Sequence, residues 1–146
     1  MAETINILAT PPPRIYKINV DGATSEDGRP SSVEVVIRDC RGMVVVASAK
    51  LLSATYGVEV TKALVAKEGM LLARQMMLTR VILESDSLLV VQSISSNSFH
   101  GDLRPIIQGI IDLLSFVNSW KVKHVKMDYN RVAHELAKLA RDYGTT

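Results

Sequence analysis

Asp21 and Asp86 are the residues from which chemistry could start, because each closes a stretch of strand character. Tyr16, Ile18 and Val20 alternate with Lys17, Asn19 and Asp21, and the apolar run Arg80-Val81-Ile82-Leu83-Glu84-Ser85 leads into Asp86. Alternation with a period of two marks a half-buried strand. The carboxyl end of a strand is a place where a scaffold presents polar groups. A lone Asp-Gly such as Asp21-Gly22 is by itself more often a turn-former than a ligand. The pair becomes a site if the two strands lie side by side and parallel, since both carboxylates then converge at one edge of a sheet.

The elements that must position them read in order. Pro11-Pro12-Pro13 favours extended polyproline geometry, so residues 1–14 are expected to be a tether and the ordered domain to run over residues 15–143, with 144–146 as a tail. After the first strand and a polar loop, residues 33–38 and 43–50 form a hairpin around Asp39-Cys40-Arg41-Gly42, where Gly42 takes the positive φ. From residue 58 to 78 the period changes. Ala63, Met70 and Met77 recur every seven residues, as do Leu64, Leu71 and Leu78, which predicts a long amphipathic helix. A strand over 80–86, helices over 87–95 and from 102 or 103 to 117, a strand over 120–127 and a closing helix over 130–143 complete the chain. Pro105 is tolerated in a first turn and Asn130 serves as an N-cap. A meander followed by two helix-linked strands makes an α/β fold: a five-stranded mixed sheet with helices on both faces.

Composition excludes several classes. The 146 residues are enough for one domain with its own core, and 47% hydrophobic with 22% charged residues describes an ordered globular chain. A net charge of +2 permits a polyanionic partner without arguing for one. Cys40 is the single cysteine, which rules out an intramolecular disulfide and a cysteine-based zinc site and fits an intracellular setting, nuclear or cytoplasmic. The opening Met1-Ala2-Glu3-Thr4 lacks the basic start of a signal peptide, and no apolar run nears the roughly 20 residues that span a bilayer.

Four stretches in register carry a resemblance: Lys17-Ile18-Asn19-Val20-Asp21-Gly22-Ala23, Val35-Val36-Ile37-Arg38-Asp39 with Gly42, Glu84-Ser85-Asp86-Ser87, and Asn130-Arg131-Val132-Ala133-His134-Glu135-Leu136-Ala137. Over residues 15–143 the chain resembles the ribonuclease H family, in particular plant reverse-transcriptase-like domains derived from retroelements. The resemblance implies a phosphodiester hydrolase acting on the RNA strand of an RNA–DNA hybrid, with magnesium or manganese held by a ring of carboxylates. It assigns Asp21 and Asp86, the first and third positions of the site, as metal ligands and His134 as the fourth catalytic position. At the remaining position, where the family carries a catalytic Glu at the start of the first helix, this chain has Lys62.

That substitution reverses the local charge. Asp21 and Asp86 contribute −2 and Lys62 +1, so with a neutral His134 the set carries −1 against two divalent ions. An ammonium about 4 Å from a divalent cation is repelled by roughly 8 kcal/mol at an effective dielectric near 20. Glu59, Glu68, Glu84 and Asp128 are poor substitutes by spacing; Glu59 can reach in only if the helix starts early. The family's glycines before Val-Val-Ile-Arg-Asp are also replaced here, by Ser31-Ser32-Val33-Glu34, so Glu34 is expected to turn a negative charge toward a passing phosphate. The reading is therefore a ribonuclease H-like domain associated with RNA–DNA hybrid or RNA, with a degenerate two-metal site and weak or no hydrolysis. Its alternatives are a catalytically dead fold reused to bind a protein partner, and an active magnesium-dependent hybrid ribonuclease. No cofactor is expected if hydrolysis is lost, and no membrane partner in any case.

Overall fold

In the computed structural model, which describes residues 14–24, 27–99 and 101–126, the alternating stretch Tyr16–Ala23 is β1, the middle strand of a five-stranded sheet. β2 (Ser32–Arg38) lies antiparallel to β1, and β3 (Val44–Leu51) antiparallel to β2. On the other side β4 (Arg80–Ser85) runs parallel to β1, and β5 (Ser119–His124) parallel to β4. The order β3-β2-β1-β4-β5 is the expected mixed sheet, and the parallel β1–β4 pair is the condition under which Asp21 and Asp86 converge. The β2–β3 turn forms as the sequence predicts. Gly42 sits at φ +81°, and the Asp39 carboxylate accepts from the amides of Arg41 and Met43 at 2.9 and 3.0 Å. Cys40, at its tip, is exposed.

Even-numbered β1 residues Ile18 and Val20 face a core shared with Val33, Val35 and Ile37 of β2 and Val81 and Leu83 of β4. Three helices close that core: α1 (Val58–Gln75), α2 (Leu88–Ser96) and α3 (Arg104–Leu114), the last entered through a 3₁₀ turn at Gly101–Leu103. Ala63, Ala66, Gly69, Met70 and Ala73 form the buried stripe of α1. Except for Met70 these residues are small, which brings the helix down onto the sheet. A Cβ at Gly69 would come within 2.8 Å of Val20 Cγ1 and 2.9 Å of Ile18 Cγ2.

The heptad rows read from the sequence need correction here. Leu71 and Met77 are exposed, Met77 by 79%, and the helix stops at Gln75 instead of reaching residue 78. Met77 adopts φ +59°, its amide bonds to the Arg74 carbonyl, and the Leu78 amide bonds to that of Ala73. This is a Schellman closure with Met77 in the left-handed position usually held by glycine. It turns Leu78 back into the core, so the last rung of the pattern is supplied by the cap.

The odd-numbered face of β1 is polar: Lys17, Asn19 and Asp21 share it with Glu34 and Val36 of β2 and Glu84 of β4, their direct neighbours in the register. The closing helix expected over residues 130–143, with His134, lies outside the described residues, as do residues 1–13 of the expected 1–14 tether and the tail.

Candidate functional site

A steric fit at the end of β1 sets the geometry. Gly22 leaves room for the first turn of α1; a Cβ there would meet Thr61 Cγ2 at 2.6 Å and the Thr61 carbonyl oxygen at 3.3 Å. Hydroxyls then clamp the two elements together. Thr24 Oγ1 lies 3.1 Å from Thr61 Oγ1 and donates to the Tyr56 carbonyl at 3.0 Å. With Thr61 buried against Gly22, the next residue, Lys62, is delivered over the sheet edge.

Its ammonium bridges the two carboxylates. Lys62 Nζ donates to Asp21 Oδ1 at 3.0 Å and to Asp86 Oδ1 at 2.7 Å. The Gly22 amide also donates to Asp21 Oδ1, at 2.9 Å. The Asp21 side chain is fully buried, that of Asp86 is 6% exposed and that of Lys62 12%. Burial pulls the lysine downward, but the Asp86 hydrogen bond and the charges of Asp21 and Asp86 together outweigh it, leaving Lys62 above the usual lysine value. The ammonium is therefore charged throughout the physiological range.

The structure brings further residues to this edge. Ser87, immediately after Asp86, is the N-cap of α2: its Oγ accepts from the Val90 amide at 3.2 Å and donates to Glu59 Oε1 at 3.1 Å. Serine before an apolar run is a helix-start signal that could have marked this position. Helix α1 does begin early enough to place Glu59 in its first turn, yet its carboxylate engages Ser87. His124, which the sequence left without a role, comes to the same place because β5 pairs with β4: its Nε2 lies 3.3 Å from the Asp86 carbonyl oxygen. Glu84 is buried on the polar sheet face and accepts from Asn19 Nδ2 at 2.6 Å, while Asn19 Oδ1 accepts from Arg38 Nη1 at 3.1 Å. His134 lies outside the described residues.

Among the described residues, the donor set as arranged does not fit a pair of divalent ions. The oxygens nearest the centre of the site, Asp21 Oδ1 and Asp86 Oδ1, both hold an ammonium. Among the described residues, no three His, Cys, Asp or Glu side chains are grouped to hold a metal.

Glu34 departs from the expectation that it would face outward. It stands directly across from Asp21 in the β1–β2 register but is 1% exposed, and among the described residues neither carboxyl oxygen makes a well-aligned hydrogen bond. Burial pushes its carboxyl up to about 8, with the Ser48 amide opposing weakly. At pH 7 Glu34 is mostly protonated and adds little negative charge.

A meander, a long helix over the sheet, and two parallel strands bringing acidic residues to one edge define a domain of the ribonuclease H-like fold. The chain belongs to the Reverse transcriptase-like family, whose profile matches residues 19–140. Among solved structures it is similar to RNase H1 of Halobacterium salinarum, at 21% identity and a TM-score of 0.82 over 88% of this chain and 98% of that one. The N-terminal RNase H domain of Rv2228c from Mycobacterium tuberculosis matches at 22% identity and 0.80, over 88% and 94%. LC11-RNase H1, solved in complex with an RNA/DNA hybrid, matches at 18% identity and 0.78, over 91% and 99%. No curated protein sequence matches the chain significantly. Among the described residues no helix is long and apolar enough to cross a membrane.

Proposed function

We propose that this domain associates with RNA–DNA hybrid or RNA and hydrolyses phosphodiesters weakly or not at all. The observation that carries the reading is the Lys62 bridge, 3.0 Å from Asp21 Oδ1 and 2.7 Å from Asp86 Oδ1. Asp21 and Asp86 are the carboxylates that would hold magnesium or manganese in an intact site, where the ions activate water and stabilise the leaving oxygen. Here a fixed ammonium supplies the positive charge those carboxylates require. An ammonium can accept neither a water ligand nor the developing charge of an in-line displacement in the way a divalent ion does, so the arrangement favours structure over turnover. His134 would be a vestige of the same site. The similarity to LC11-RNase H1, whose structure was solved with hybrid bound, supports the choice of ligand class.

Hybrid cleavage in magnesium or manganese by wild type, Lys62→Glu and Asp21→Asn tests this. The expected result is little or no cleavage by wild type and metal-dependent cleavage gained by Lys62→Glu. Wild-type cleavage abolished by Asp21→Asn would overturn it. Binding is read separately, as an affinity for hybrid that falls steeply with salt. Its absence would favour the reading of a fold reused for protein interaction.

A further inference from the structure

On the polar face of the sheet, separate from the Lys62 bridge, lies a cavity of about 610 Å³ walled by residues of β1, β2, β4 and β5 and the chain following β5. Four cations line it: Lys17, Arg38, Lys123 and Lys126. The register explains their meeting, since Arg38 is the direct partner of Lys17, and Lys123 is the neighbour of Glu84, itself beside Asn19. Like charges on adjacent strands repel and are disfavoured unless something offsets them. Among the described residues Glu84 is the lone carboxylate in the lining, so their side chains sum to +3 with His124 neutral. Among the described residues, none of the four cations has an acidic partner at ion-pair distance.

One wall is built for orientation. Glu84 holds the Asn19 amide at 2.6 Å, and Asn19 in turn holds Arg38 Nη1 at 3.1 Å. A guanidinium fixed through one nitrogen keeps its remaining donors in a planar fork, the geometry that matches a phosphate or carboxylate. Lys17, Lys123 and Lys126 are exposed and can fold over whatever the fork holds. A carboxylate ligand has two oxygens to share among four cations; a phosphate has three or more and carries up to two charges. The cavity's size falls in the range of small-ligand sites, roughly 300–1,000 Å³, and is too small for a duplex.

We propose that this cavity binds a phosphate-bearing ligand of nucleotide size, with Arg38 as the oriented fork and Lys17, Lys123 and Lys126 as the closing cations. The phosphate is the shared chemistry of two sources, a free nucleotide and the 5′-phosphate end of a single strand. The proposal goes beyond the reading of the Lys62 bridge and stands whether or not that centre hydrolyses hybrid.

The test is titration of the full chain with AMP and, separately, with a 5′-phosphorylated trinucleotide, followed by calorimetry at low salt. Wild type is expected to bind at least one probe, with affinity falling tenfold or more in the double variant Lys17→Ala/Lys123→Ala. Both side chains are exposed, so the variant should melt as wild type does. Binding of AMP alone assigns the free nucleotide, and tighter binding of the trinucleotide assigns the strand end. Failure of both probes to bind would overturn the proposal, as would binding that the double variant leaves unchanged. Neither result bears on cleavage by Lys62→Glu, so the two readings fail separately.

Discussion

Asp21 and Glu34 face each other across the β1–β2 pair, equally hidden from water, and they are in opposite states. Asp21 accepts from the Lys62 ammonium and the Gly22 amide; among the described residues, neither Glu34 carboxyl oxygen makes a well-aligned hydrogen bond. One acid has a cation from α1 against it, and the other, with none, avoids its charge by holding a proton. The difference teaches that burial alone does not set the surroundings of an acid in this sheet. What matters is whether the neighbouring helix carries a cation at the right turn.

The largest effect should come from removing the partner. Lys62→Met leaves Asp21 and Asp86 side by side and buried without their ammonium. Breaking a buried ion pair from one side costs about 3–5 kcal/mol. Urea unfolding at pH 7 should show a loss of that size. A loss below about 1 kcal/mol would mean that the bridge is not what stabilises the pair, and the contrast with Glu34 would collapse. In wild type the raised Lys62 value contributes stability that is fully present below the ordinary lysine value and disappears as pH rises through the folded one.

Glu34 gives the second effect, in a lower pH range. Its folded value of about 8 lies above the ordinary glutamate value of 4.5, so the folded chain retains a proton that the unfolded chain releases. The cost is absent below 4.5, grows as pH rises through the interval, and levels off above 8. Between pH 4.5 and 7 that amounts to on the order of 3 kcal/mol. Glu34→Gln cannot titrate. Its stability relative to wild type should therefore climb by that amount across the same interval, measured by urea midpoints at several pH values. Parallel profiles for the two proteins would show that Glu34 has an unseen partner.

Much of this arrangement was legible before any coordinates. Strand alternation around Ile18 and Val20, the turn at Gly42 and the convergence of Asp21 and Asp86 all follow from local pattern and strand polarity, which residue types express directly. The state of Glu34 was not legible. Period-two alternation places it on the polar face, but whether that face is open or covered depends on packing from elsewhere in the chain. The end of α1 was hidden for a related reason. A heptad row cannot announce that Met77 will take a left-handed cap conformation so that Leu78 can turn inward. His124 was missed because its proximity to Asp86 comes from the β4–β5 register, and a lone histidine at a strand end carries no sign of its neighbour.

Ser87 offers the smallest effect and an intermediate case. Its hydroxyl accepts from the Val90 amide and donates to Glu59, so it caps α2 and also gives an α1 carboxylate its partner. Ser87→Ala removes both. Loss of an N-cap hydroxyl costs about 1 kcal/mol. If an orphaned carboxylate were always as costly as Glu34, the total would be several times larger. Glu59, however, is only partly buried and can turn to water when Ser87 is lost. The expected loss is thus near the cap value alone, about 1–2 kcal/mol by urea unfolding, with Ser87→Thr close to wild type because it retains a hydroxyl. A loss above about 3 kcal/mol would place Glu59 with Glu34 among acids that cannot escape to solvent. The dividing line would then run between partnered and unpartnered acids, whatever their exposure.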